Sequence, residues 1–595
     1  MNDSRLSNPE QHHIKPAEVL TAVLAILYPF LTILQGLDFT DMGFCLFRYQ
    51  TFFNPDLALP AFGTFLTELT GGVWDKISPV SGVIGYKLLF ALTALLTQMI
   101  TWLSLKTVVP RKILLPGILL ATLVITPEMQ WHNYNSFSSL LFCCSGFFLL
   151  RAAQKPAFTP YFFSALFLGL TASARIPNIL GFLLLLIPLA ATFNKEERNS
   201  WLKPTAGVVA GTLAAAGALF LLYLATGKLT GLNEAFNRII HSTTAAGGKH
   251  SIVHLFVKQI AGYGKAILSA GVMYLLLILS YKISGKVPEG KKRSLLVPGL
   301  TMIILLLLFY LPMHLIEVKI GKTIVTYPIF MLSALFMIIL PVFWKNRANW
   351  RSCVTIAIAT GIMMLISQGS DRGLKNAIYG MWLIIPLALN QFLHFKPRMK
   401  RFSDHKLFGS ASYSILAIIL VLTFTHSLTF VYRDSSCRGA MRYGLDHPRL
   451  QAVYTTRERA AAVNSLTKEL DRKKIQGKTL LSYECLPLIH YLYDTRPYLK
   501  RPWVMLMSAE EISKRLAAAE NEHEKLPPVL RAKFQPRKWS WPIPPQGLKP
   551  GAQRKKNHKQ RLVLDGFLKR HGYRKTWDNG YFEIFRQPAA QRSTR

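Results

Sequence analysis

Residues 19–34 read Val19-Leu-Thr-Ala-Val-Leu-Ala-Ile-Leu-Tyr-Pro-Phe-Leu-Thr-Ile-Leu34, without one charge, and Gly36-Leu-Asp-Phe-Thr-Asp-Met-Gly-Phe44 follows almost at once. A helix of about 20 apolar residues crosses the hydrocarbon core of a bilayer. The run is therefore expected to be a first membrane span, over 18–36, opening into a polar segment on the far side. The first 18 residues are polar and contain His12, His13 and Pro16. They lack the layout of a cleaved signal peptide, so the span is expected to stay as an anchor.

Working outward, the same pattern recurs. Leu300–Leu311 and Ile415–Phe424 are also uncharged, and over 595 residues only 17% are charged against 51% hydrophobic. Soluble domains carry about 25% charged residues. The chain is thus expected to be an α-helical polytopic membrane protein of about thirteen spans: 18–36, 82–105, 112–126, 137–153, 158–173, 177–193, 205–226, 266–281, 294–311, 324–343, 352–368, 376–394 and 408–431. Residues 1–431 would form the transmembrane domain, with long outer loops over 37–81 and 227–265. Residues 432–595 would form a small, basic, soluble α/β domain.

The net charge of +39 raises the question of nucleic acid. The basic residues fall in short runs between apolar segments, as in Lys282–Arg293 and Lys396–Lys406. Such runs mark cytoplasmic loops. No zinc-finger spacing or aromatic RNA-binding motif accompanies them, and no nucleic-acid partner is expected. With the amino terminus inside, an odd number of spans puts 432–595 outside, as in a bacterial inner-membrane protein. That tail holds 34 basic against 15 acidic residues. Membrane lipids or a phosphorylated glycolipid would suit it. Cys437 and Cys485 lie in the tail and would be able to pair in an oxidising compartment.

Within the tail, Thr456–Ile475 and Ala509–Ala519 read as helices, Lys478–Tyr483 as a strand and Cys485–Tyr493 as a short helix. Lys525–Lys559, rich in Pro and Lys, reads as a mobile linker or surface loop. Tyr573–Trp577 and Tyr581–Phe585 flank Asp578-Asn579-Gly580, a hairpin signal.

The chemistry-bearing stretch is Asp38 and Asp41, three apart and just outside the first span. One reading is structural: Asp38 caps a helix over the amphipathic Phe44–Phe53 region and Asp41 sits in its first turn, where the helix dipole favours a carboxylate. The other is catalytic: one carboxylate takes the proton of an acceptor hydroxyl at the membrane surface. No Walker-type phosphate loop, zinc helix or nucleophile elbow competes with it.

A first span followed by an outer loop with an acidic pair and an aromatic amphipathic helix resembles the GT-C superfamily of glycosyltransferases. The resemblance covers the layout of the whole chain. It implies a polyprenyl-phosphate sugar as donor, a glycan, lipid or protein as acceptor, and an extracytoplasmic C-terminal domain. It also implies that Asp41, in Asp41-Met42-Gly43-Phe44, is the base and Asp38 an auxiliary. The family pattern often carries Glu where Met42 stands. A base role therefore fits better than a metal-bridging one, and a divalent metal ion stays an open possibility.

Ala172-Ser-Ala-Arg-Ile-Pro-Asn178 resembles a basic junction of such enzymes, so Arg175 would clamp the donor phosphate. An Arg snorkelling to headgroups is the bland alternative. His132, Asn133 and Tyr134, in Trp131-His-Asn-Tyr-Asn135, suit a sugar or acceptor surface, or an interfacial aromatic belt. Asp371 and Arg372 would join the site, or simply close a turn. Tyr483-Glu-Cys-Leu-Pro487 with Tyr491-Leu-Tyr493 resembles the strand–turn–helix of the family's soluble domains. The expected activity is hexosyl or pentosyl transfer in the cell envelope. The rival readings are a flippase for lipid-linked saccharides and an O-antigen ligase or polymerase. The flippase would want ionisable groups within the spans, and the ligase a large late loop between spans.

Overall fold

The structure is a computed structural model. It describes residues 15–57, 59, 62–78, 80, 82–193, 201–229, 231, 255–264, 350–370, 372–394, 423–435, 437–484, 486–523, 525–533 and 558–588. The amino-terminal half is helical: α1 (Pro16–Thr32), α2 (Asp41–Gln50), α3 (Phe65–Ile77), α4 (Gly82–Leu105), α5 (Arg111–Ile125), α6 (Tyr134–Gln154), α7 (Phe158–Ala174), α8 (Leu186–Phe193) and α9 (Leu202–Ala225). Later come α10 (Trp350–Leu365) and α11 (Ile384–His394).

Three of these, α4, α6 and α9, are long and apolar enough to cross a membrane. At 1.5 Å per residue the 24 residues of α4 reach about 36 Å. On α9, Val209, Leu213, Phe220, Leu221 and Leu224 are exposed, and on α1 Leu20, Val23, Leu24, Leu27 and Leu31 are too. Helices that are apolar on their outward faces are stable where lipid replaces water. The expected span 177–193 begins as a 3-10 segment, Ile176–Leu185, before α8. Pro177 at its start removes a backbone donor there. The expected spans 266–281, 294–311 and 324–343 and most of 408–431 lie outside the described residues; 423–429 is helical.

Close packing of α7 on α9 rests on Gly207, Gly211 and Ala215, spaced by four. A Cβ at Gly207 would lie 2.4 Å from the Phe158 carbonyl oxygen, and one at Gly211 2.2 Å from that of Phe162. Small residues at this spacing let two membrane helices approach backbone to backbone.

The tail contains α12 (Arg457–Arg472), α13 (Pro487–Leu492), α14 (Ala509–Glu522) and α15 (His558–Arg570). A two-stranded pairing joins β1 (Tyr443–Gly444) to β2 (Tyr454–Thr455). A five-stranded sheet has the order β4-β3-β5-β7-β6, with β3 (Thr479–Tyr483), β4 (Arg496–Pro497), β5 (Val529–Ala532), β6 (Arg574–Asp578) and β7 (Phe582–Arg586). Strand β3 runs parallel to β4 and β5, while β7 is antiparallel to β5 and β6. Gly580 (φ +87°) turns the β6–β7 hairpin.

Strand β5 corrects one expectation. Residues 525–559 are not all linker, because Val529–Ala532 is a largely buried central strand. Four residues after two prolines are too short a signal to stand out in a basic, Pro-rich stretch.

The segment between α1 and α4 shares its core with the tail. Leu37, Phe39, Met42, Leu46 and Phe47 pack in one cluster with Leu450, Val453, Leu488, Ile489 and Phe582. Contact is closest at Gly43, where a Cβ would fall 2.3 Å from the Leu488 amide nitrogen. The Leu488 amide in turn donates to the Phe39 carbonyl at 3.1 Å. The acidic pair is thereby held between the end of α1 and the tail.

Candidate active site

The chain leaves α1 through Gly36, whose φ of +94° favours glycine. A side chain there would also meet Val431 Cγ1 at 2.4 Å. Backbone bonds stitch this turn to the tail: Gly36 N–H donates to the Tyr454 carbonyl at 2.9 Å, and Leu37 N–H to Asp434 Oδ2 at 2.9 Å.

Asp38 then caps α2. Its Oδ1 accepts from the Thr40 amide at 2.9 Å and the Thr40 hydroxyl at 2.6 Å, and its Oδ2 from the Met42 amide at 3.0 Å. Oδ2 thus serves an amide of the first turn, which has no intrahelical partner, while Oδ1 holds the N-cap residue Thr40. Burial raises the Asp38 pKa above the ordinary value, partly offset by Arg433, with neighbouring Asp41 adding to the rise.

Asp41 is the first residue of α2 and differs from Asp38 in exposure, its side chain being 27% accessible. Its Oδ2 accepts from the Tyr432 hydroxyl at 2.7 Å and pairs with Arg433 Nη2 at 2.9 Å. Burial and the Asp41 charge hold the Tyr432 phenol protonated, so it acts as the donor. Arg433 also bonds the Thr40 hydroxyl and comes within 4.0 Å of Asp38 Oδ1.

Beside this pair lies a narrow cleft lined by Gln35, Gly36, Asp38, Met42, Lys87, Glu128, Gln130, Trp131, Val431 and Tyr432. Glu128 is almost wholly buried. Its Oε2 accepts from Arg372 Nη2 at 2.9 Å, and its Oε1 has no hydrogen-bond partner among the described residues. Lys87 of α4 donates to the carbonyls of Gln35 at 2.9 Å and Gly36 at 2.6 Å. The structure thus gathers Asp38, Asp41 and Arg372 with four residues that the sequence did not single out: Lys87, Glu128, Tyr432 and Arg433. Lys87, a charge inside an apolar run, and Glu128, an acid in the short loop between two apolar runs, carried a signal.

The other expected residues stand in the adjoining layer. Arg175 donates to the carbonyls of Ile366 and Gln368, both at 2.7 Å, and its guanidinium lies 5.8 Å from the Tyr134 ring centroid. Gln368 precedes Arg372 by four residues, which links this layer to Glu128 and the cleft. Asn133 is the N-cap of α6, accepting from the amides of Asn135 and Ser136. His132 is fully buried, with Nε2 3.3 Å from the Thr67 carbonyl oxygen, and burial pushes its pKa down to about 4. Tyr134 is half-buried. Asp371 lies outside the described residues, as does Cys485; Cys437 is exposed.

The acidic pair does not fit a metal ion in this arrangement. The Asp38 oxygens are taken by Thr40 and Met42, and Asp41 is engaged by Tyr432 and Arg433. Among the described residues no group of three or more His, Cys, Asp or Glu is placed to hold a metal.

No protein-family model and no curated protein matches the chain. Among solved structures it is similar to ArnT from Cupriavidus metallidurans in its crystal structure bound to undecaprenyl phosphate. Identity is 12%, coverage 96% of this chain and 98% of that one, and the TM-score 0.41. The apo crystal structure of the same protein gives 12% identity, 95% and 97% coverage and a TM-score of 0.41. The arabinosyltransferase EmbB from Mycobacterium smegmatis is similar at 14% identity and a TM-score of 0.33, over 70% of this chain and 44% of that one.

Proposed function

We propose that the chain is a GT-C type membrane glycosyltransferase, moving a hexosyl or pentosyl group from a polyprenyl-phosphate donor to an acceptor at the outer face of a membrane. Residues 1–431 would form the membrane domain and 432–595 an extracytoplasmic domain, with the amino terminus in the cytoplasm of a bacterium. The observation that carries the proposal is Asp41. It is a part-exposed carboxylate in the first turn of α2, held by Tyr432 and Arg433 beside a cleft at the end of the first span.

In the proposed reaction the acceptor oxygen attacks the anomeric carbon while its proton passes to Asp41. The bond from that carbon to the phosphate oxygen breaks, and polyprenyl phosphate leaves with the electron pair. Single displacement inverts the anomeric centre. A positioned base of this kind contributes about 10²–10⁴-fold. Asp38 would act as auxiliary by fixing the helix turn that presents Asp41. The unpartnered oxygen of Glu128 would accept a hydrogen bond from a sugar or acceptor hydroxyl. Arg175, with Arg372, would hold the donor phosphate. Tyr134 would offer its ring to the sugar, supported from below by His132 and Asn133. Asp371 remains a candidate beside Arg372.

The test uses membranes containing the full chain and a polyprenyl-phosphate donor labelled in its sugar. Transfer predicts label on an acceptor and release of one polyprenyl phosphate per sugar moved. Label that crosses the membrane still attached to its carrier would establish the flippase instead.

A further inference from the structure

Lys87, Arg175, Arg372 and Arg433 lie at or next to the proposed site, and their partners differ. Lys87 is bonded to two backbone carbonyls, Arg175 to two others, and Arg372 to the buried Glu128. None of these partners changes charge in the proposed reaction. Arg433 is the exception. Its 2.9 Å partner is Asp41, the carboxylate that becomes neutral when it takes the acceptor proton.

The backbone at Arg433 is also unusual. Its φ of +53° is left-handed, a conformation that costs a non-glycine residue roughly 1 kcal/mol or more and tends to occur at functional sites. The residue follows directly on Tyr432, which bonds the same Asp41 oxygen, and precedes Asp434, which anchors the turn. Asp434 is fully buried, accepting from Leu37 N–H and the Thr455 hydroxyl at 2.9 Å and pairing with Arg459. A buried anchor therefore holds a long cationic side chain, itself partly exposed, beside Asp41.

We infer that Arg433 is an exchangeable counter-ion: it pairs with Asp41, as in this structure, and transfers to the phosphate of the lipid donor as the sugar leaves. The inference rests on the transferase reading above. The donor is a phosphodiester with one negative charge, and the departing polyprenyl monoester gains a second. Over the same step Asp41 loses its charge to the incoming proton. Negative charge thus disappears at one end of Arg433's reach and grows at the other. A guanidinium that follows it binds the transition state more tightly than the ground state. The guanidinium meets Asp41 through Nη2 while Nη1 bonds Thr40, and its planar fork of donors also suits a phosphate, which lysine does not match.

The exchange makes two opposed predictions for the purified full-length protein in detergent, read by equilibrium binding of fluorescent polyprenyl phosphate. Arg433→Gln should weaken binding on the order of 10–100-fold, as loss of charge-assisted hydrogen bonds does, and Arg433→Lys should recover only part. Asp41→Asn should strengthen binding by about 3–10-fold, because it releases Arg433 from a part-exposed ion pair. Since the second variant leaves Arg433 in place, a misfolded Arg433 variant cannot decide the matter alone. Unchanged or weaker binding by Asp41→Asn overturns the exchange. So does unchanged binding by a folded Arg433→Gln protein. Wild-type protein that fails to bind polyprenyl phosphate would instead remove the transferase reading on which the inference stands.

Discussion

Replacing Asp38 with alanine removes three hydrogen bonds at once, and the structure allows the cost to be worked out. The Thr40 and Met42 amides lose their acceptor while both residues are buried. Each buried donor left unsatisfied costs about 1–3 kcal/mol. Against that stands the burial of the Asp38 carboxyl, which raises its pKa and whose removal returns part of the loss. Loss of a helix cap typically costs about 0.5–2 kcal/mol, so about 2 kcal/mol is the expected net effect. Asp38→Asn keeps an oxygen for Thr40 but turns its NH2 toward the Met42 amide, and should cost about 1–2 kcal/mol. Hydrogen–deuterium exchange of the amides in the first turn of α2 reads this directly. A local loss of about 2 kcal/mol speeds exchange roughly thirty-fold. If the alanine variant exchanges at the wild-type rate, Asp38 does not cap α2, and the positioning of Asp41 needs another explanation.

Glu68 of α3 pairs with Arg48 at 2.6 Å, yet burial pushes its carboxyl up to about 7. The folded state then holds a proton that the unfolded chain has released. The stabilisation is full below about 4.5, the ordinary Glu value, and is lost as pH rises to about 7. Glu68→Gln, which resembles the protonated form, should gain on the wild type by on the order of 2–3 kcal/mol between pH 4.5 and 8. Melting curves that stay parallel over that range would contradict it. Gly43→Ala drives a methyl into the backbone of Leu488 and should cost about 1–3 kcal/mol. Gly217→Ala, with nothing within 4 Å of the added carbon, should be neutral or stabilise α9 by up to about 1 kcal/mol. Equal melting shifts in the two would refute the packing argument. For topology, a reporter active only outside the cytoplasm should be active after Arg595 and silent within Lys282–Arg293; the reverse pattern overturns the orientation.

The apolar runs made the helices legible in sequence, and the acidic pair pointed to the cap and first turn of α2. Both signals are local: a run of uncharged residues, and Asp38 three before Asp41. What the sequence hid is what long-range packing assembles. Tyr432 and Arg433 look like the start of a basic tail until the turn around Gly36 and Asp434 folds them against Asp41. Glu128 stands alone in its loop, and among the described residues its partner is Arg372, over two hundred residues away. Asn133 was expected at a sugar surface, and its side chain caps α6, a role that Asn at the start of an apolar helix equally suits. Strand β5 went unread because its partners, β3 and β7, lie far from it in the chain.

The most direct test of the account is transfer by Asp41→Asn at matched expression, with labelled sugar on polyprenyl phosphate supplied to membranes. The substitution keeps the shape of the side chain and a hydrogen-bond acceptor for Tyr432, so the fold should survive. If Asp41 takes the acceptor proton, turnover should fall by roughly 10²–10⁴-fold. Turnover at the wild-type rate would contradict the account and pass the role of base to another group of the cleft, with Glu128 first to be examined.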